Sequence, residues 1–149
     1  MKHPILAYRA VAASAVALLF VAGSSARATT YNWITAIGGG WNTSTNWNPI
    51  GVPGATDTAI ITNAGVTVLL NTATTIGAII LGTNGPGTVT LSLNNQTLAL
   101  NGPFTVNPSG SFIVDSGALV GNTNAVLHGT IGWSAGFLEG ILKIGRAHV

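Results

Sequence analysis

From Thr58 onward the chain is a succession of short apolar runs in which every second residue is large, and the gaps between runs are filled by Asn, Gly and Pro. Val66, Val68 and Leu70 fall two apart, as do Val89, Leu91 and Leu93, then Leu98 and Leu100, then Phe104 and Val106. Side chains two apart share one face of a strand, so each run predicts a strand with one buried face. The residues between them are often Thr or Ser, which suit a half-exposed pleated surface. Asn71-Thr72, Gly82–Gly87, Asn94-Asn95, Asn101-Gly102-Pro103 and Asn107–Gly110 separate the runs. In such clusters Gly and Asn supply left-handed backbone and Pro fixes its own dihedral, which makes them turns. No window after residue 28 has a helical period, and the fold class read from the sequence is all-β.

The two ends of the chain have a different texture. Met1–Arg9 carries Lys2 and Arg9, Ala10–Ala22 is apolar apart from Ser14, and Ser24–Ala28 is small and closes on Ala26-Arg27-Ala28. That charged, apolar, cleavable order is the order of a secretory signal peptide. The apolar run of thirteen residues falls well short of the ~20 that a spanning helix needs. Residues 1–28 are therefore expected to leave on export, placing the mature start at Thr29 and the protein outside the cytoplasm, secreted or at the cell surface. Later apolar runs are each broken within a few residues by Gly, Asn or Thr, so no membrane span is expected in the mature segment. At the other end, residues 144–149 read IGRAHV, the translation of one frame of a common sequencing-library adapter. They are set aside as an artefact, and the chain is read as a truncated open reading frame.

Without those ends the electrostatics invert. Lys2, Arg9 and Arg27 go with the signal and Arg146 with the tail, leaving Lys143 alone against Asp57, Asp115 and Glu139. A nucleic-acid footprint needs clustered Lys and Arg, so no nucleic-acid partner is expected. Cysteine is absent, and the segment must hold together without disulfides. Thr29–Lys143 spans 115 residues, enough for one domain with its own core.

Short strands at this spacing also fit a sandwich or a barrel. Two features favour a right-handed parallel β-helix, a solenoid in which each coil stacks its apolar interior on the next. Asn and Gly recur at nearly every turn, where stacked coils can continue amide ladders and tight bends. Charge is almost missing, as expected when strands lie between coils rather than against water. The expected organisation is a Trp/Gly/Asn-rich cap over residues 29–57 and β-helix coils over 58–143.

The cap region carries Trp33, Gly40-Trp41, Asn46-Trp47, Pro53 and Asp57-Thr58-Ala59, followed by Ile60 and Ile61. This order resembles the opening of large secreted bacterial β-helix proteins of the autotransporter-passenger and PEP-CTERM types. The stretch Leu127–Ile144 is similar to the Gly-x-Ile-x-Trp and Gly-x-Leu-x-Gly coils of the same group, with Trp133 in the Trp place. The resemblance implies the N-terminal part of a non-enzymatic structural or adhesion protein at a bacterial cell surface. The alternatives are the front of a polysaccharide-degrading β-helix enzyme whose active site lies beyond the truncation, or a carbohydrate-binding cap.

Catalytic β-helix proteins cleave glycans with clustered carboxylates, and general acid–base work needs two such groups within reach of one substrate. Asp57, Asp115 and Glu139 are spread over more than eighty residues, and no catalytic residues are assigned. Asp57 follows a Gly-Ala-Thr turn and Asp115 opens Asp-Ser-Gly, where carboxylates ordinarily satisfy backbone amides. His128 is the one histidine outside the two ends; zinc wants three or four ligands, so neither a metal nor a cofactor is expected. Gly38-Gly39-Gly40 lacks the Lys-Ser or Lys-Thr of a phosphate loop. Trp33, Trp41 and Trp47, with Tyr31, are the ambiguous group: they could stack sugar rings, or close the end of the solenoid against other chains. Extracellular glycans and other surface proteins are the partners considered, and a truncated last coil is expected to self-associate through exposed strand edges and apolar interior.

Overall fold

The computed structural model describes residues 27–121, 123–140 and 143–145. The signal-peptide expectation, apart from its last two residues, and most of the IGRAHV tail lie outside the described residues. Within them the chain is all-β, 52% strand and 3% helix, and parallel strands stack into a β-solenoid of about 4 turns. No helix among the described residues is long and apolar enough to cross a membrane.

Each coil contributes strands to three walls. The first wall stacks β1 (Thr30–Trp33), β4 (Thr58–Ile61), β7 (Ala78–Leu81), β10 (Phe104–Val106), β12 (Asn124–Leu127) and β14 (Lys143–Gly145) in parallel order. The second stacks β2 (Gly39–Gly40), β5 (Thr67–Leu69), β8 (Val89–Ser92) and the first half of β11 (Gly110–Gly121). The third stacks β6 (Thr74–Ile76), β9 (Thr97–Leu100) and the second half of β11. Strand β13 (Thr130–Glu139) follows β11 along both of these walls. Among the described strands only β3 (Trp47–Asn48) breaks the pattern, pairing antiparallel with β1 at the outer edge of the first wall. Strands β1 and β2 themselves pair in parallel with β4 and β5, so the cap region supplies a first partial coil as well as a lid.

The apolar residues spaced two apart form the interior. Ala59 pairs with Ile79, Ile79 with Phe104 and Phe104 with Ala125, and all four are buried. On the second wall Val68, Leu91, Phe112 and Ile131 stand in one column, and on the third Leu98, Leu119 and Leu138. Apolar stacks on apolar, and the buried members of the columns merge into one core. Phe104 and Phe112 cross edge to face at 4.9 Å between the first two walls. That geometry is the favoured aromatic contact.

Register fixes coil length. The pairs Ala59–Ile79, Ile79–Phe104, Phe104–Ala125 and Ala125–Ile144 give coils of 20, 25, 21 and 19 residues. The longest coil carries the Gly82–Gly87 cluster, whose residues 84–87 are exposed; the extra length is looped outward and the columns stay aligned.

Corners bring backbone onto backbone. At the corner between the first two walls a Cβ on Gly110 would lie 2.6 Å from the Leu81 carbonyl oxygen, and one on Gly129 would clash with the carbonyl of Gly110. Amide side chains also work at corners, though not as a ladder of one amide on another. Asn94 donates from Nδ2 to the Leu70 carbonyl at 3.0 Å, and Asn107 to the Gly82 carbonyl at 2.9 Å. Each ties its coil to the backbone of the coil before.

Candidate functional site

The tryptophan group lies at the N-terminal end of the stack. Register carried one residue past β2 and β5 places Trp41 over Leu70, and its N–H donates to the Leu69 carbonyl at 2.9 Å. Antiparallel pairing of β1 with β3 sets Trp33 opposite Trp47. Trp47 then meets Trp33 edge to face at 5.1 Å and Trp41 at 5.0 Å. Its Nε1 donates to the Trp41 carbonyl at 2.8 Å, whereas the buried Nε1 groups of Trp33 and Trp41 have no hydrogen-bond partner. The three side chains are 2%, 0% and 0% exposed for Trp33, Trp41 and Trp47. Burial of each indole removes roughly 150–250 Å² from water, on the order of 4–6 kcal/mol by area.

That placement bears on the expected carbohydrate stacking at Trp33, Trp41 and Trp47. A sugar ring stacks on an open aromatic face, and in this arrangement the three indoles cover one another and the first interior column. Of the four tryptophans only Trp133, at the other end of the solenoid, is exposed. Tyr31 is partly buried against the cap.

The carboxylates are held apart by the coils. Asp57 sits just before β4 and accepts from the Thr29 N–H at 2.8 Å through Oδ1 and from the Gly54 N–H at 2.8 Å through Oδ2. Asp115 sits two coils further along, where β11 bends between the second and third walls. Its Oδ1 accepts from the Asn94 N–H at 2.6 Å and its Oδ2 from the Ser92 hydroxyl at 2.8 Å. Glu139 ends β13 on the exposed surface. Both oxygens of each aspartate thus hold the chain's own donors, and the two groups face different corners of different coils.

His128 lies in the short link between β12 and β13, exposed, with its N–H on the Val106 carbonyl at 2.7 Å. No group of three His, Cys, Asp or Glu side chains among the described residues could hold a metal ion.

At the far end of the described stack, where the sequence led us to expect exposed apolar interior, the columns run on. Register carried one residue beyond β5, β8 and β11 continues the Trp41 and Leu70 column through Leu93 and Val114 to Trp133. Among the described residues no further strand lies over Trp133 in this column. An apolar cavity of about 50 Å³ lies there, floored by Phe112, Val114 and Leu119 and rimmed by Ile131, Trp133 and Leu138. A continuous interior column was legible from spacing; the cavity beside it was not.

No protein-family model matches this chain, and neither a curated protein nor a solved structure matches it.

Proposed function

We propose that this chain is a non-enzymatic structural or adhesion protein of the bacterial exterior, a surface β-helix of the autotransporter-passenger or PEP-CTERM kind. One observation carries the reading: Asp57 and Asp115, the carboxylates built into the coils, spend all four oxygens on the chain's own donors. Glycosidic cleavage asks for two carboxyl groups on opposite sides of one substrate bond. Nucleophilic catalysis asks for a base beside a nucleophile and a group that orients the base, and among the described residues neither carboxylate of the coils is bonded to His128. What remains is a solenoid with three extended walls, a form that presents surface rather than a cleft.

The test is an assay of the purified chain on pectin, alginate, xylan and chitin, reading both reducing ends and unsaturated products. No turnover above a mock purification is expected. Turnover lost in Asp57→Ala or Asp115→Ala, with the fold intact by circular dichroism, would replace the scaffold reading with an enzyme. Cell fractionation tests the location, with the chain expected in the medium or the surface fraction.

A further inference from the structure

The chain contains the same tripeptide twice, Asn84-Gly85-Pro86 and Asn101-Gly102-Pro103. We infer that Asn84 is a site of spontaneous covalent modification, its carboxamide converting to aspartate and isoaspartate, and that the fold protects Asn101 from the same reaction. The chemistry needs only the chain and water. Solvent base takes the proton of the Gly85 N–H, the nitrogen attacks Cγ of Asn84, and the Cγ–Nδ2 bond breaks as ammonia leaves with a proton from water, closing a succinimide ring. Water then opens either carbonyl of the ring, and one of the two openings leaves the main chain a methylene longer. Glycine after asparagine favours the attack, because it has no Cβ to crowd the ring and reaches backbone angles closed to other residues. Both tripeptides carry that glycine, so local sequence alone predicts similar reactivity at the two sites.

Their surroundings differ. Asn84 and Gly85 lie in the outward loop of the longest coil and are exposed, as are Pro86 and Gly87. Among the described residues no hydrogen bond holds the Asn84 carboxamide. The attacking nitrogen is held by a single side chain, the Gly85 N–H donating to the Thr83 hydroxyl at 3.0 Å. Apart from its chain neighbours, a Cβ built on Gly85 would meet only that same oxygen, at 3.4 Å. No other backbone therefore packs on the peptide that has to turn.

At Asn101 each of these freedoms is taken. Its Nδ2 donates to the Ala55 carbonyl at 2.9 Å and its N–H to the Ile76 carbonyl at 2.9 Å, so carboxamide and main chain are both tied to earlier coils. A Cβ on Gly102 would clash with the Gly77 carbonyl, and the Pro103 carbonyl accepts the Ile79 N–H at 3.0 Å. Turning the Gly102 nitrogen towards Cγ requires breaking the Ala55 bond and lifting this corner off the coil beneath, which is local unfolding. The products differ too. An added methylene in the loop is absorbed where the coil already bulges outward, whereas one at residue 101 would disturb the register that seats Phe104 on Ile79. Reaction at Asn84 thus leaves the coils intact and sets a new carboxylate on a molecule whose coils carry few charges.

Peptide mapping by mass spectrometry tests this on the purified full chain, sampled over days in mildly alkaline buffer. Each conversion exchanges NH2 for OH, and chromatography separates the isoaspartate peptides from their aspartate counterparts. Asn84 is expected to convert at least about tenfold faster than Asn101, a difference of about 1.4 kcal/mol in barrier. In denaturant, where the two tripeptides lose their different surroundings, the rates should converge. Gly85→Ala, whose methyl group the loop has room for, should slow the Asn84 reaction several-fold with circular dichroism unchanged. Equal rates in the folded chain, faster reaction at Asn101, no conversion at Asn84, a Gly85→Ala chain that converts as fast as its parent, or a preference for Asn84 that persists undiminished in denaturant would overturn it.

Discussion

The backbone N–H of Thr29 donates to Oδ1 of Asp57 at 2.8 Å, across 28 residues of chain. With Oδ2 on the Gly54 N–H, one carboxylate pins the start of the cap to the turn that launches the first full coil. Asp57→Ala leaves two partly buried donors without acceptors, and is expected to lower stability by about 1–3 kcal/mol. Denaturant unfolding reads this directly, and an unchanged midpoint would show that water replaces the carboxylate at no cost.

The same contact joins to processing. Cleavage between Ala28 and Thr29 would turn that amide donor into an α-ammonium group facing Asp57, adding a charge to a hydrogen bond already in place. N-terminal sequencing of exported material is expected to begin at Thr29. Asp57→Asn should then destabilise the processed chain more than a form that keeps residues before Thr29. Equal losses in the two forms would mean that the new terminus points elsewhere.

Trp47 and Trp133 are both indoles at an end of the stack, yet their truncation should differ sharply. Trp47→Ala removes a buried ring and the donor to the Trp41 carbonyl, and is expected to cost about 3–5 kcal/mol. Trp133→Ala, at a position 57% exposed, should cost well under half of that in the monomer at low concentration. Comparable losses would mean that the last coil is better covered than its exposure indicates.

Two glycines separate corner from wall. Gly110→Ala sets a methyl group 2.6 Å from the Leu81 carbonyl oxygen and must push neighbouring coils apart, with an expected loss of about 1–3 kcal/mol or more. Gly132→Ala has only Ile113 side-chain carbons nearby, at 3.7 and 3.9 Å. It should fall within about 0.5 kcal/mol of the parent, the ordinary range for surface changes. Thermal melts of the pair would show whether corner glycines or wall glycines set the coil spacing.

Ser92 and Asp115 are predicted to be coupled. The hydroxyl of Ser92, 5% exposed, has its 2.8 Å contact with Oδ2 of Asp115, so each single alanine substitution orphans the other group. A double-mutant cycle should give a coupling of roughly 0.5–3 kcal/mol. Additive losses would indicate that Asp115 acts only through the Asn94 N–H.

Much of the interior was legible because burial alternates along strands such as β4, β7, β9 and β10. Val66, Val68 and Leu70, and Val89, Leu91 and Leu93, all point inward, which follows from spacing alone. The expected left-handed residues also appear, with Asn94 and Asn95 at φ 47° and 62°. Asp115-Ser116-Gly117 reads as a turn, and in the structure it is a bend inside β11, with Ser116 at φ 62°. Pairing with β8 before the bend and β9 after it holds the backbone extended on both sides. Those partners lie about twenty residues away, beyond the reach of a local pattern. Strand β2 was hidden for a related reason: Gly39 and Gly40 have no side chains to show a period, and only the register with Val68 and Leu69 makes them a strand. The pairing of Asp57 with Thr29 was invisible too, since it requires knowing that one coil returns above another after 28 residues.

Coil length also sets what such a molecule is mechanically suited to. Neighbouring strands in a wall are about 4.8 Å apart, so each coil of 19 to 25 residues advances the axis by about that distance. Twenty residues of α-helix would advance about 30 Å. The solenoid therefore spends its residues on girth, with three walls cross-tied along their length, and behaves as a beam rather than a tether. Bending it must stretch the bonds of one wall while compressing another, and extending it needs only further turns of the same thread.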